Sequence, residues 1–199
     1  MKGALVYRCF QLQQIITREL CSLLMRGVGW LWGVEFSGPA HFYGTARFIR
    51  HPAGRIVLGR DLVFRSAPSS NTIGLNRRCF FSAGAGATLQ VGDGCGFSGT
   101  VIAAQQQITL GQRVMCGANV TITDTDRHPT DALARQRGEP GASAAVDIAD
   151  DVWLGMNVVV LKGVRIGAGA VIAANSVVVS DIPSGCLAGG QPAKVLRQL

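Results

Sequence analysis

The sequence predicts a three-sided β-solenoid, on three observations. Every sixth residue from Ile148 is aliphatic: Ile148, Leu154, Val160, Ile166, Ile172 and Val178. A small residue follows four of those six (Ala149, Gly155, Gly167 and Ala173), where the chain must turn a corner with little side chain. The 199-residue chain is 48% hydrophobic and 16% charged with 26 glycines, a mix that suits an aliphatic axis with tight corners and excludes disorder. Neither a 3.6-residue helix nor a two-residue strand produces a strict period of six. Stacked coils do, each covering the edge of the last. Residues 148–183 make two such coils, three hexapeptides to a coil.

Taken in order, residues 4–32 read as a helix. Apolar positions 5, 12, 16, 20, 23, 24, 28 and 31 recur mostly at threes and fours, with Gln11, Gln14, Arg18, Ser22 and Arg26 as a polar stripe opposite. Arg18 and Glu19 leave the apolar run too short to span a bilayer, and no small-residue cleavage site marks a signal peptide. Two readings stay open for this helix. It docks on the solenoid or a neighbouring subunit, or it makes peripheral membrane contact through residues 1–32, with Trp30 and Trp32 at the headgroups. From Gly33 short β segments begin, and Leu58 and Phe64 fit the six-residue frame. Residues 66–76 are loop-like. The repeat resumes at Val91 and Phe97, slips by one near 103–110, and runs on through Leu110, Cys116 and Ile122. Between Ile122 and Ile148 the gap is 26 residues, not a multiple of six, so a polar loop is inserted there. The expected organisation is a helical segment over 1–33, the solenoid over 34–185 with its loop at 124–147, and a closing cap over 186–199 that covers the open end.

Charge is one-sided. Residues 1–78 carry 11 Lys/Arg against 3 Asp/Glu, a net +8, whereas residues 79–199 carry 8 against 9, a net −1. The N-terminal end therefore faces something anionic, and a membrane surface or anionic substrate fits better than nucleic acid, for which no module is visible. Cysteines 9, 21, 79, 95, 116 and 186 form no CxxC pair and are read as reduced, which places the protein in the cytoplasm, at the inner face of the cytoplasmic membrane if the helix binds lipid.

His128 lies in the polar loop that breaks the scaffold, and a rigid scaffold with a loop at its edge is the usual way to hold a catalytic group. An imidazole can take a proton from a hydroxyl at neutral pH. Asp124 and Asp126 stand four and two residues upstream and could orient the ring or bind a polyol.

These residues carry a resemblance. D-T-D-R-H-P at 124–129, D-D-V-W-L-G at 150–155, L-K-G-V-R-I-G at 161–167, S-D-I-P at 180–183 and G-G-Q-P-A-K-V-L-R at 189–197 together resemble the hexapeptide-repeat acetyltransferases, in particular the maltose, galactoside and polysaccharide O-acetyltransferase group. The resemblance implies an all-β, left-handed parallel β-helix, an exception to right-handed crossovers, assembled as a homotrimer with active sites between prisms. It implies acetyl-CoA as co-substrate with no metal, a sugar or glycan acceptor, and His128 as the general base for direct attack, with a backbone N–H on the oxyanion. Carried over by position, Trp153, Met156, Ala174 and Val179 would line the cofactor groove. Lys194 and Arg197 would reach the CoA phosphates, and Lys162 and Arg165 would be solvated corner residues. The asparagine that helps bind the acceptor in maltose and galactoside enzymes is missing from Gly96–Thr100, where Ser98 could substitute. That departure favours acceptors in capsule, exopolysaccharide or lipopolysaccharide biosynthesis. His41 and His51 are read as structural.

Three alternatives follow the same pattern. N-acetylation of an amino sugar or nucleotide-sugar would suit the same base. A metalloenzyme of this fold needs three suitably spaced histidines, and 41, 51 and 128 do not fit. A non-catalytic scaffold would leave the His128 loop idle.

Overall fold

In a computed structural model that describes residues 2–199, a long helix is followed by six three-stranded coils and a closing hairpin, with a second, short helix in the loop after the fourth coil. The helix α1 spans Lys2–Leu31. Coil one holds β1 (Glu35–Phe36), β2 (Ala40–Tyr43) and β3 (Arg47–Arg50), and coil two β4 (Arg55–Leu58), β5 (Leu62–Arg65) and β6 (Phe80–Ala83). Coil three holds β7 (Thr88–Val91), β8 (Gly96–Ser98) and β9 (Val101–Ala104), and coil four β10 (Gln107–Leu110), β11 (Met115–Ala118) and β12 (Thr121–Thr123). Coil five holds β13 (Val146–Ile148), β14 (Trp153–Leu154) and β15 (Val159–Val160), and coil six β16 (Arg165–Ile166), β17 (Val171–Ile172) and β18 (Val177–Val178). The last hairpin pairs β19 (Cys186–Gly190) with β20 (Ala193–Gln198).

Successive coils stack in parallel into three sheets: β1-β4-β7-β10-β13-β16 on the first face, β2-β5-β8-β11-β14-β17 on the second, and β3-β6-β9-β12-β15-β18 on the third. The hairpin continues the second face. This is the left-handed parallel β-helix with an N-terminal amphipathic helix that the sequence predicts. Ile148, Leu154, Val160, Ile166, Ile172 and Val178 are all fully inward, none more than 1% exposed. Burying an aliphatic side chain of this size stabilises by about 2 kcal/mol, so each two-residue strand is held by its one inward residue.

Corners follow from the same geometry. Gly99, Asn119, Asn157 and Asn175 stack between the second and third faces, all with φ between 57° and 62°. Asparagine tolerates this left-handed conformation better than other side-chain-bearing residues, and Asn157 Nδ2 donates to Asn175 Oδ1 at 3.0 Å. Corner aspartates accept amides from the coil before: Asp93 from Arg60, Asp150 from Gln112 and Asp181 from Arg165, each at 2.8 Å.

The slip near 103–110 is real: Val91 and Leu110 are paired but 19 residues apart, against 18 from Ile148 to Ile166. The 66–79 segment is a loop thrown from coil two, pinned where the Arg77 guanidinium donates to Gly99 O and Thr121 Oγ1 at 3.0 and 2.7 Å.

The helix is amphipathic, yet the side it turns to the solenoid is its more polar one. Gln14, Thr17, Arg18, Cys21, Ser22 and Val28 are half-buried and Met25 is buried, whereas Leu5, Leu12, Ile16, Leu20, Leu23, Leu24 and Leu31 face out. The reason is the open edge of coil one. The Phe42 N–H has no earlier strand to bond, and it donates to Ser22 Oγ at 2.9 Å. Met25, 2% exposed, plugs the apolar axis beside it.

Candidate functional site

The loop bearing His128 leaves coil four at the corner between the third and first faces, and it folds back on itself as a short ribbon. Ala144 N–H donates to Asp124 O and Asp126 N–H to Ala142 O, both at 2.9 Å, with an antiparallel bridge between Thr125 and Ser143. Arg127 takes a φ of 63°, and its N–H donates to Thr125 Oγ1 at 3.1 Å. The His128 N–H donates to Asp126 O at 2.7 Å, which sets the direction in which the imidazole leaves the ribbon. Gly141 lies against this turn so closely that a Cβ there would sit 2.6 Å from His128 N. Beyond it the loop contains a short helix, α2 (Ala132–Gln136), capped by Asp131, whose Oδ1 accepts from Ala134 N–H at 2.7 Å. The insertion is thus a built element. It presents an exposed imidazole on a backbone held from both sides.

Asp126 and Lys162 form an ion pair at 2.8 Å, each side chain 33% exposed. Lys162 is thus a corner residue whose ammonium is paired rather than simply solvated. It belongs to the corner of coil five, directly after β15, and it ties the ribbon to the scaffold.

The acceptor role read for Asp124 is corrected by its burial. Asp124 has 0% exposure, and its two oxygens accept the Gln105 and Gln106 N–H groups at 2.7 and 2.8 Å. It is a corner aspartate like Asp93, Asp150 and Asp181, and at zero exposure neither oxygen is open to a ligand.

The other candidate residues divide among separate surfaces. Val179, exposed, follows β18 and shares the third-to-first corner with His128. Met156, half-buried, and Ala174, exposed, lie on the corner between the second and third faces. Trp153 projects from the second face, 52% exposed, beside Ser98 in a groove of about 410 Å³ that Arg65, Asn71 and Met115 also line. Lys194 and Arg197, both exposed, stand on β20 at the end of that face. In a three-sided prism the third-to-first corner is opposite the second face. A single chain therefore keeps His128 and Trp153 apart.

Arg65, Asn71 and Met115 are groove residues that sequence reasoning missed. Asn71 comes from the loop thrown out of coil two, whose position over the second face no periodicity marks. Burial pushes up the thiols of Cys79 and Cys116, and that of Cys95 to about 11, so none of these is a thiolate at neutral pH. His41 is half-buried on β2, and His51 Nδ1 accepts from Ala53 N–H at 3.1 Å in a turn. Among the described residues no group of three or more His, Cys, Asp or Glu is placed to hold a metal.

Comparison with known proteins returns the same kind of fold. The family described as bacterial transferase hexapeptide (six repeats) matches residues 145–180. Over 92 residues the chain is 47% identical to the galactoside O-acetyltransferase of Lactococcus lactis, covering 46% of this chain and 44% of that one. Over 60 residues it is 48% identical to the 2,3,4,5-tetrahydropyridine-2,6-dicarboxylate N-acetyltransferase of Staphylococcus aureus, covering 30% and 25%. The chain thus spans less than half the length of these curated relatives. Among solved structures, a galactoside acetyltransferase in complex with coenzyme A is 30% identical, with a TM-score of 0.51 over 59% of this chain and 58% of that one. A hexapeptide-repeat acetyltransferase from Vibrio cholerae is 25% identical, with a TM-score of 0.58 over 99% of this chain and 92% of that one.

Proposed function

We propose that this hexapeptide-repeat chain is an acetyl-CoA-dependent O-acetyltransferase acting on a sugar hydroxyl, in capsule, exopolysaccharide or lipopolysaccharide, with His128 as the general base. The observation that carries the reading is the His128 ribbon itself, a stiffened polar insertion that ends in an exposed imidazole on an otherwise regular scaffold. The imidazole accepts the proton of the acceptor hydroxyl as its oxygen attacks the thioester carbonyl, and a backbone N–H donates to the tetrahedral oxyanion; the oxyanion collapses with cleavage of the C–S bond, and the CoA thiolate leaves with the proton held by the imidazolium. Ser98, Asp126 and the ribbon are the acceptor side. Trp153, Met156, Ala174 and Val179 hold the thioester arm, and Lys194 and Arg197 meet the phosphates.

The separation of His128 from Trp153 supports a site shared between prisms of a homotrimer. The outward residues of the three faces favour the same arrangement. The first face shows Arg55, Gln90, Gln107, Asp147 and Arg165 to solvent, while the second shows Val63, Met115, Trp153 and Val171 beside His41 and Arg65, and the third Val101, Val159 and Val177 beside Arg47 and Thr121. Two faces more apolar than the first, most clearly in the last coils, suit a prism packed around a threefold axis.

Thiol release from acetyl-CoA against a panel of sugars, amino sugars and lipid-linked glycans tests the reading. His128→Ala is expected to lower kcat/KM by about 10²–10⁴-fold with an unchanged melting temperature. Turnover at the wild-type rate in that variant defeats the proposal, and turnover on amino sugars alone moves it to N-acetylation. Sedimentation should give about 63 kDa, three times the 21.0 kDa chain. Co-assembly of His128→Ala with Trp153→Ala should recover activity that neither has alone.

A further inference from the structure

Helix α1 turns outward more apolar surface than it uses for docking. Leu5, Leu12, Ile16, Leu20, Leu23 and Trp30 are between 49% and 77% exposed, and their spacing puts them on one stripe. Capping coil one needs only the opposite side, where Ser22 and Met25 do the work described above. Arg8 and Arg26, both exposed, lie 18 residues apart and so five turns along one line that borders the stripe. The only acid of the helix, Glu19, is taken up by Arg18.

Two occupants could cover such a stripe, a second copy of the chain or a lipid surface. A second copy would bring its own +8 N-terminal region against the same charge, a repulsion that disfavours pairing. Anionic headgroups complement it instead. Trp30 and Trp32, 77% and 41% exposed at the end of the helix, have the amphipathic rings that settle at headgroup level. Among the described residues no helix is long and apolar enough to cross a membrane, so α1 would lie in the plane.

We propose that α1 lies in the headgroup layer of an anionic membrane with its leucine stripe toward the acyl chains and Arg8 and Arg26 on the phosphates, holding coil one against the lipid. Arg65 and Asn71 line both the groove beside Trp153 and a cavity of about 370 Å³ under α1, next to Phe10 and Gln14. The groove beside Trp153 thus adjoins the docked side of α1, opposite the leucine stripe. The membrane contact does not rest on the acetyltransferase reading.

Flotation of the full chain with vesicles of phosphatidylcholine plus about 30% phosphatidylglycerol, against phosphatidylcholine alone, reads the contact without any substrate. The wild type should float with the anionic vesicles and release at high salt. Arg8→Gln with Arg26→Gln should weaken partitioning roughly 30-fold. Leu12→Asp with Leu23→Asp should abolish it at an unchanged melting temperature, because both side chains already face solvent. The proposal is overturned if the wild type ignores anionic vesicles, or if the leucine variant floats like the wild type. A drop in sedimentation mass with no change in flotation would overturn it too, assigning the stripe to a second copy.

Discussion

In the first three coils the axis is filled by rings. Phe42 and Phe64 stack at 4.4 Å, nearly parallel, and Phe64 continues to Phe97 at 5.2 Å, while Phe48 and Phe81 meet them edge-on from the third face. In the fifth and sixth coils the same positions hold Leu154, Ile172, Val160 and Val178, on strands of two residues each. Paired inward residues are 22 apart from Phe36 to Leu58, 33 from Leu58 to Val91 and 19 from Val91 to Leu110, but 18 from Ile148 to Ile166. Both regions stack in the same three parallel sheets. The strict repeat, the only part matched by the family pattern at 145–180, is thus the part with the least to hold it per strand. Regular spacing is a requirement where one aliphatic per strand carries the packing. It can relax where a phenylalanine reaches several neighbours at once.

The largest stability change that separates the halves is expected at Phe64, which contacts Phe42, Phe48, Phe81 and Phe97. Phe64→Ala should lower unfolding free energy by about 4 kcal/mol in urea titration. Gly141→Ala should do the reverse of a core change. Its Cβ would press on the His128 backbone at 2.6 Å, so kcat/KM should fall about 10²-fold while the urea midpoint barely moves. A midpoint shift as large as that of Phe64→Ala would show the insertion to be part of the core. Ile172→Val in the strict half should cost about 1 kcal/mol; a cost near that of Phe64→Ala would erase the distinction between the halves. The smallest effect is expected at a corner. Arg113 donates to the Asp151 carboxylate at 2.6 and 2.7 Å and holds its pKa below the usual range. A lowered folded pKa stabilises above the unfolded carboxylate value, and that contribution is lost as pH falls through the folded one. Asp151→Asn should therefore narrow the gap in melting temperature between neutral and strongly acidic pH, slightly, since the pair is exposed.

The coils of the strict half and the existence of an insertion were legible because inward residues are spaced along the covalent chain, and a gap of 26 residues between Ile122 and Ile148 breaks that spacing visibly. The phenylalanine coils were legible only at Leu58, Phe64, Val91 and Phe97, since loops shift the frame between them. Lys162 was read as a solvated corner residue, and its ion pair was not legible because its partner Asp126 is 36 residues away across the insertion. Asp124 was misread because the same residue type serves two tasks, and only its amide partners at Gln105 and Gln106 tell which.

By itself, then, the sequence determined the three-sided coil, the aliphatic axis, the amphipathic first helix and the loop that carries His128, all of which follow from periodicity and its interruption. Only the tertiary structure decided which side of α1 faces out, which aspartates are consumed by corners, and that His128 and Trp153 stand on opposite sides of one prism. The physical reason is that these depend on contacts between coils. Those contacts are set by the register left after each insertion and by unpaired edge amides such as that of Phe42, neither of which is encoded in the spacing of apolar residues along the chain.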